Sequence, residues 1–228
     1  MLYTGLVSIT FRQLSPREII ALVAQAGLAG IEWGGDIHVP HGNVAVAREV
    51  HQMTADAGLK VAAYGSYYRA GCSGEGLPNF DAVLDTAVAL GAPLIRLWSG
   101  NQPSAKADTK WRAHVVKDTQ RAADMAASEG LDISFEYHGG TLTDRPESAL
   151  DFLTAVDRPN VKAYWQPDVG VTAADRVAAL DAVLPWVSNI HVFQWELVDA
   201  AVVRFPLAKG ADEWHTYLSM LAATGRDH

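Results

Sequence analysis

Three observations predict an α/β fold of parallel strands, a (β/α) TIM barrel. First, an Ala-rich amphipathic stretch that stops at a glycine and is followed by a short β-prone run recurs along the chain, at Gly27, Gly58, Gly91 and Gly130. Second, the repeat of ~30–40 residues is the length of a βα unit, and strict alternation at that length implies parallel strands joined by helical crossovers. Third, the first β-prone run is followed by Thr10-Phe11-Arg12-Gln13-Leu14. No glycine-rich phosphate loop stands there, which favours a barrel over an open nucleotide-binding sheet.

The elements follow in order. Residues 5–9 read as the first strand, and Ser15-Pro16-Arg17-Glu18 opens the first helix with a capping box and a proline at its first turn. Helical stretches at 19–27, 44–58, 80–91 and 111–130 each end at a glycine, the residue a helix C-terminus favours for a positive φ. The runs after them, 30–33, 60–64, 94–98 and 133–137, have the length of buried strands. A helix at 146–156 and a strand at 160–166 continue the rhythm. Thr172 caps a helix to Leu184 with Asp175 in its first turn, 187–193 is the next strand, and 212–223 is a helix before Gly225. Seven strands result, in one domain over residues 1–228, and the eighth that would close a barrel is missing.

Composition narrows the function. The chain has 228 residues, a net charge of −8 and 49% hydrophobic residues, as expected of a globular protein that buries a core. The acidic balance argues against nucleic acid as a partner, which needs a Lys/Arg footprint. No apolar run reaches the ~20 residues of a membrane span, and residues 1–5 lack a signal-peptide pattern, so a cytoplasmic location is expected. Cys72 is the one cysteine, which excludes an internal disulfide and a Cys-rich metal site.

A parallel barrel carries its chemistry at the C-terminal ends of its strands. Polar and aromatic residues collect there: Glu32, Trp33, Asp36, His38 and His41; Tyr64 to Arg69; Arg96 and Trp98; Glu136 and His138; Trp165, Gln166 and Asp168; His191, Gln194 and Trp195. Glu32 reads equally well as a functional carboxylate or as a strand-end group paired with Arg69 or Arg96. Glu136 stands near the end of a buried strand, where a carboxylate needs a partner or a metal to stay ionised, and His138 points the same way two residues on. His191 lies inside an apolar run.

The segments Gly30-Ile31-Glu32-Trp33, Phe135-Glu136-Tyr137-His138, Tyr164-Trp165-Gln166-Pro167 and Asn189-Ile190-His191-Val192 resemble the sugar phosphate isomerase/epimerase family with the xylose-isomerase-like TIM barrel. In that family a divalent metal (Mn, Mg, Co or Zn) is held by a Glu of strand five, an Asp ending strand six, a His of strand seven and a Glu of strand eight. The resemblance implies Glu136 and His191 as metal ligands. It places Gln166 where the family has Asp, with Asp168 two residues on, and finds no counterpart for the last Glu. It implies a metal-dependent isomerase, epimerase or dehydratase acting on a small keto sugar or cyclitol through an enediolate. Glu136 would then serve as ligand and base and His138 as a hydroxyl binder or proton relay, with Trp33, His38, Arg96, Trp98 and Trp165 shaping the substrate pocket. The alternative is a non-catalytic carbohydrate-binding barrel with an incomplete metal site.

The missing strand leaves a gap between strands one and seven. Exposed parallel edges are expected to be buried against a second copy in a homo-oligomer, unless the chain is a shortened form of a longer one. Residues 200–205 are β-prone and offer a weaker route to filling the gap.

Overall fold

The computed structural model describes residues 1–228. The elements are β1 (Gly5–Val7), α1 (Pro16–Gln25), β2 (Gly30–Gly34), α2 (Val44–Asp56), β3 (Lys60–Arg69), α3 (Phe80–Leu90), β4 (Leu94–Trp98), α4 (Thr109–Ser128), β5 (Asp132–Glu136), α5 (Pro146–Val156), β6 (Val161–Trp165), α6 (Ala173–Val183), β7 (Val187–Ile190), β8 (Gln194–Val198), β9 (Ala201–Phe205) and α7 (Ala211–Ala223). Strands β1 to β7 form one parallel sheet in chain order, a TIM-barrel-like fold with β1 and β7 unpaired to each other. The expected capping box forms at Ser15–Glu18, and Thr172, the expected N-cap, forms a second one with Asp175. Asn43, Asn79 and Asp108 cap three further helices, each accepting a bond from an orphan backbone N–H.

Alternation along the strands sorts side chains into two layers. Outward residues such as Trp33, Tyr64, Phe135 and Trp165 join a 42-residue core between sheet and helices. Inside the barrel lies a small cluster of Ala63, Leu94 and Tyr164.

Three boundaries differ from expectation. The first strand stops at Val7, because Ser8 turns into a short 3₁₀ helix and its hydroxyl accepts the Gly34 N–H. β3 runs on to Arg69 through a bulge: Gly65 pairs with Arg96 and Arg69 with Trp98, so β3 carries two more residues than β4 over that interval. Tyr67, inside the bulge, has φ +57°. β7 ends at Ile190, although the His191 N–H still donates to the Trp165 carbonyl. Residues 201–205 do not enter the barrel; they pair antiparallel with β8 as a separate hairpin.

The opening between β1 and β7 is bridged at one end. The Tyr3 N–H donates to the His228 carbonyl and the His228 N–H to the Met1 carbonyl. The His228 imidazole lies 3.2 Å from the Ser188 carbonyl, and Arg226 donates to the carbonyls of Leu184 and Pro185. No helix is long and apolar enough to cross a membrane.

Candidate active site

Inside the barrel mouth, side chains from five strands or strand ends meet. Arg96 of β4 donates from Nε to Glu32 of β2 at 2.7 Å and from a terminal nitrogen to Glu136 of β5. Tyr164 of β6 donates its hydroxyl to the second oxygen of Glu32 at 2.6 Å. His191, just beyond β7, sets Nε2 3.1 Å from that same oxygen. Its Nδ1 lies 3.2 Å from Gln166 Oε1 and 3.4 Å from Glu136 Oε1. Trp98 donates its indole N–H to Glu136 Oε2. Only a sheet curled into a barrel brings side chains of β2 and β6 into contact.

The centre is dry: Glu32, Arg96 and Glu136 are 3%, 2% and 6% exposed. Burial pushes the Glu32 carboxyl up, but Arg96 and His191 outweigh it and hold it at about 2. Burial likewise opposes ionisation of Glu136, and Arg96 again prevails, keeping it well below the usual carboxylate range. Burial alone would lower His191; Glu32 and Glu136, one at each ring nitrogen, raise it to about 9. Gly65 makes room for the pair, since a Cβ there would stand 2.7 Å from an Arg96 nitrogen and 2.8 Å from Glu32 Oε1.

Glu136, Arg96, Trp98, Gln166 and His191 thus come together, and His138 stands beside them with its ring 5.2 Å from that of Trp98. His138 is exposed, and Nδ1 lies 2.7 Å from the Gly139 carbonyl. A carbonyl only accepts, so Nδ1 carries the proton and Nε2 keeps a free lone pair.

Four other residues lie elsewhere. Trp33 and Trp165 neighbour the inward-facing Glu32 and Tyr164 and so point outward, Trp33 against His38 and Trp165 against Tyr217 of α7. His38 is buried between the Ser8 hydroxyl and the Leu14 carbonyl, holding the turn after β1. Asp168 is exposed and its carboxylate makes no ion pair; only its backbone carbonyl is engaged, by Arg176. Sequence reasoning left Glu32 open and passed over Tyr164. Period-two counting from Glu136 across the strands would have found the inward set.

No three His, Cys, Asp or Glu side chains are arranged to hold a metal ion. The third donor beside Glu136 and His191 is the amide oxygen of Gln166. Ligands ~2.0–2.2 Å from one metal stand roughly 3.0–3.5 Å from each other, and the separations of His191 Nδ1 from Gln166 and Glu136, 3.2 and 3.4 Å, match that spacing. The donor set fits a divalent cation, with one carboxylate and two neutral groups once His191 has lost its proton.

The chain has a curated relative, a 3-dehydroshikimate dehydratase of Bacillus anthracis, 28% identical over 103 residues. That match covers 42% of this chain and 35% of the relative's length. Among solved structures, the probable 3-DHS dehydratase AsbF of Bacillus anthracis superposes with a TM-score of 0.81 at 22% identity, covering 100% of this chain and 91% of that one. The 3-keto-D-glucoside 4-epimerase YcjR of E. coli gives a TM-score of 0.71 at 15% identity, covering 98% and 88%. At these identities both structures show a shared fold. The sequence profile of a family described as xylose isomerase-like TIM barrel matches residues 20–228. With the sequential parallel sheet and its inward-facing polar centre, this match places the chain in the xylose isomerase-like TIM barrel family.

Proposed function

We propose that the chain is an enzyme that removes a proton next to the carbonyl of a small polyhydroxylated keto compound, leading to isomerisation, epimerisation or loss of water. The observation that carries this reading is the convergence of Glu136, His191 and Gln166 at the barrel mouth, with the free nitrogen of His138 beside them.

The roles divide by basicity. Glu136 is too acidic to be an effective base near neutral pH, because Arg96 and the Trp98 indole stabilise its charged form. It suits ligation, through the oxygen that faces His191. His138 Nε2 takes the proton from carbon, and the same imidazole can return it to a neighbouring carbon or a departing hydroxyl. Glu32 and Tyr164 fix the ring of His191 from behind. Gln166, Glu136 and His191 would hold a divalent cation, which when bound supplies a Lewis acid for the substrate carbonyl. Similarity to a dehydratase and to an epimerase supports both outcomes of the shared first step.

The test is turnover of 3-dehydroshikimate, ketoses and inososes by the 228-residue chain with Mn²⁺ or Mg²⁺. Glu136→Gln and His138→Gln should each abolish it with the fold intact. Absence of turnover on all of these, or full turnover by Glu136→Gln, would refute the reading. The neutral amide at Gln166, and a guanidinium already neutralising both carboxylates, favour a second reading: a carbohydrate-binding barrel without catalysis. It predicts sugar binding that a chelator leaves unchanged.

A further inference from the structure

Arg12, Arg96, Arg121, Arg158 and Arg176 each face a carboxylate. Arg69, half-buried at the end of β3 on the rim of the same mouth, makes no ion pair; nor does Arg112, but its guanidinium is engaged by Ser148 and two backbone carbonyls. Its guanidinium lies 3.9 Å from the centre of the Trp98 ring, and its one hydrogen bond is a long 3.5 Å contact to the Gly100 carbonyl. Stacking uses the face of the guanidinium and leaves most of its fork of N–H donors unengaged. Burial disfavours this cation and the charge of Glu136 offsets that only in part, without an ion pair, and the residue is carried on the β3 bulge. The bulge includes Tyr67, whose φ of +57° is strained for an aromatic residue. Bulges of this kind re-aim side chains beside active sites. The Trp98 ring under Arg69 is the one whose N–H holds Glu136, which ties Arg69 to the reacting end of the pocket. Arg96 cannot take a substrate anion, because Glu32 and Glu136 already occupy it.

We infer that Arg69 binds the carboxylate of the substrate, so that the compound taken by this site is a small hydroxylated keto acid and not a neutral ketose. The inference rests on the reading that this mouth binds a small keto compound. A carboxylate matches the fork of one guanidinium in bidentate fashion. A phosphate, with its larger charge, would call for a second cation, and the neighbouring Arg12 is tied to Asp36.

The test is equilibrium binding to the full chain by calorimetry. The probes are 3-dehydroshikimate and its methyl ester, which share the ring, ketone and hydroxyls and differ in charge. The wild type should bind the acid at least tenfold more tightly than the ester. Arg69→Gln should bring that ratio close to one, and Arg69→Lys should restore part of it. Circular dichroism and the melting midpoint confirm folding of each variant; if Arg69→Gln does not fold, Arg69→Lys and the loss of the ratio at high salt decide. Equal affinity of the wild type for acid and ester, binding of neither, a ratio unchanged in Arg69→Gln, or tighter binding of D-fructose 6-phosphate than of the acid would overturn the inference. Arg69-dependent binding of the acid without turnover would refute the proposed function and leave this assignment standing. Turnover of neutral ketoses with an acid-to-ester ratio of one would do the reverse.

Discussion

Replacing Arg96 with methionine tests the electrostatic centre directly. The substitution keeps an extended side chain of similar length and removes the guanidinium that bridges Glu32 and Glu136, leaving His191 as the other cation between them. The side chains of that trio are 3%, 3% and 8% exposed, so water cannot take over the lost bonds. Removing one partner of a buried pair costs about 3–5 kcal/mol, because it strands a charge in a medium that solvates it poorly. Unfolding entropy of ~2.1 cal/mol/K per residue, taken over 228 residues, converts this to a melting midpoint lower by roughly 6–10 °C at pH 7. The loss should shrink as the pH falls. In the wild type both carboxyls are depressed, Glu32 to about 2, so their contribution is present above the unfolded value of ~4.3 and is lost only as the pH drops through the folded one. In Arg96→Met the depression is relieved and the carboxyls take up protons at higher pH, which removes the stranded charge. Thermal melts of both proteins from pH 7 to about 4 measure this. A deficit that stays constant across that range would show packing rather than charge, and a deficit under ~1 kcal/mol at pH 7 would refute the buried pair as a source of stability.

Four further outcomes follow. In the presence of a chelator, stability from His191 should be complete below its unfolded value of ~6.5 and be lost as the pH rises through about 9, on the order of 3 kcal/mol in all; His191→Gln should abolish that alkaline limb in urea titrations. Trp98→Phe removes a donor to Glu136, and should lower stability by about 1–2 kcal/mol and reduce turnover, measured by melting and by steady-state kinetics. Gly65→Ala places a methyl against the Arg96–Glu32 pair, and should reproduce much of the Arg96→Met deficit in the same melts. Asp157 ends α5 with φ +48°, so Asp157→Gly should stabilise by about 0.5–1 kcal/mol in urea unfolding.

The repeating helix–glycine–strand phrase was enough to read the fold, because each local signal agrees with the global topology. Gly91, for instance, ends α3 with φ +66°, as its place after an amphipathic run implies. The site was legible in part. Glu136 and His191 stand out as polar residues within apolar strands, and they do meet. Trp33 and Trp165 were expected beside them because they stand at strand ends. Position along a strand sets the height in the barrel, whereas parity sets the face, and both tryptophans sit one residue out of phase. The bulge at Tyr67, which positions Arg69, leaves no periodic trace, since its cause is a backbone conformation that the residue type does not favour.

The strictly sequential sheet has a kinetic consequence. Each strand of the barrel pairs with strands next to it in the chain, so the scaffold can grow by successive addition of βα units with short loop closures. The polar centre cannot form that way. Glu32 waits for Tyr164, 132 residues on, and for His191, 159 residues on. The chemistry-bearing network can therefore assemble only late, after the apolar layer between sheet and helices has set the curvature that brings β2 opposite β6. Substitutions within it should leave the folding rate nearly unchanged and speed unfolding, the signature of contacts made after the rate-limiting step.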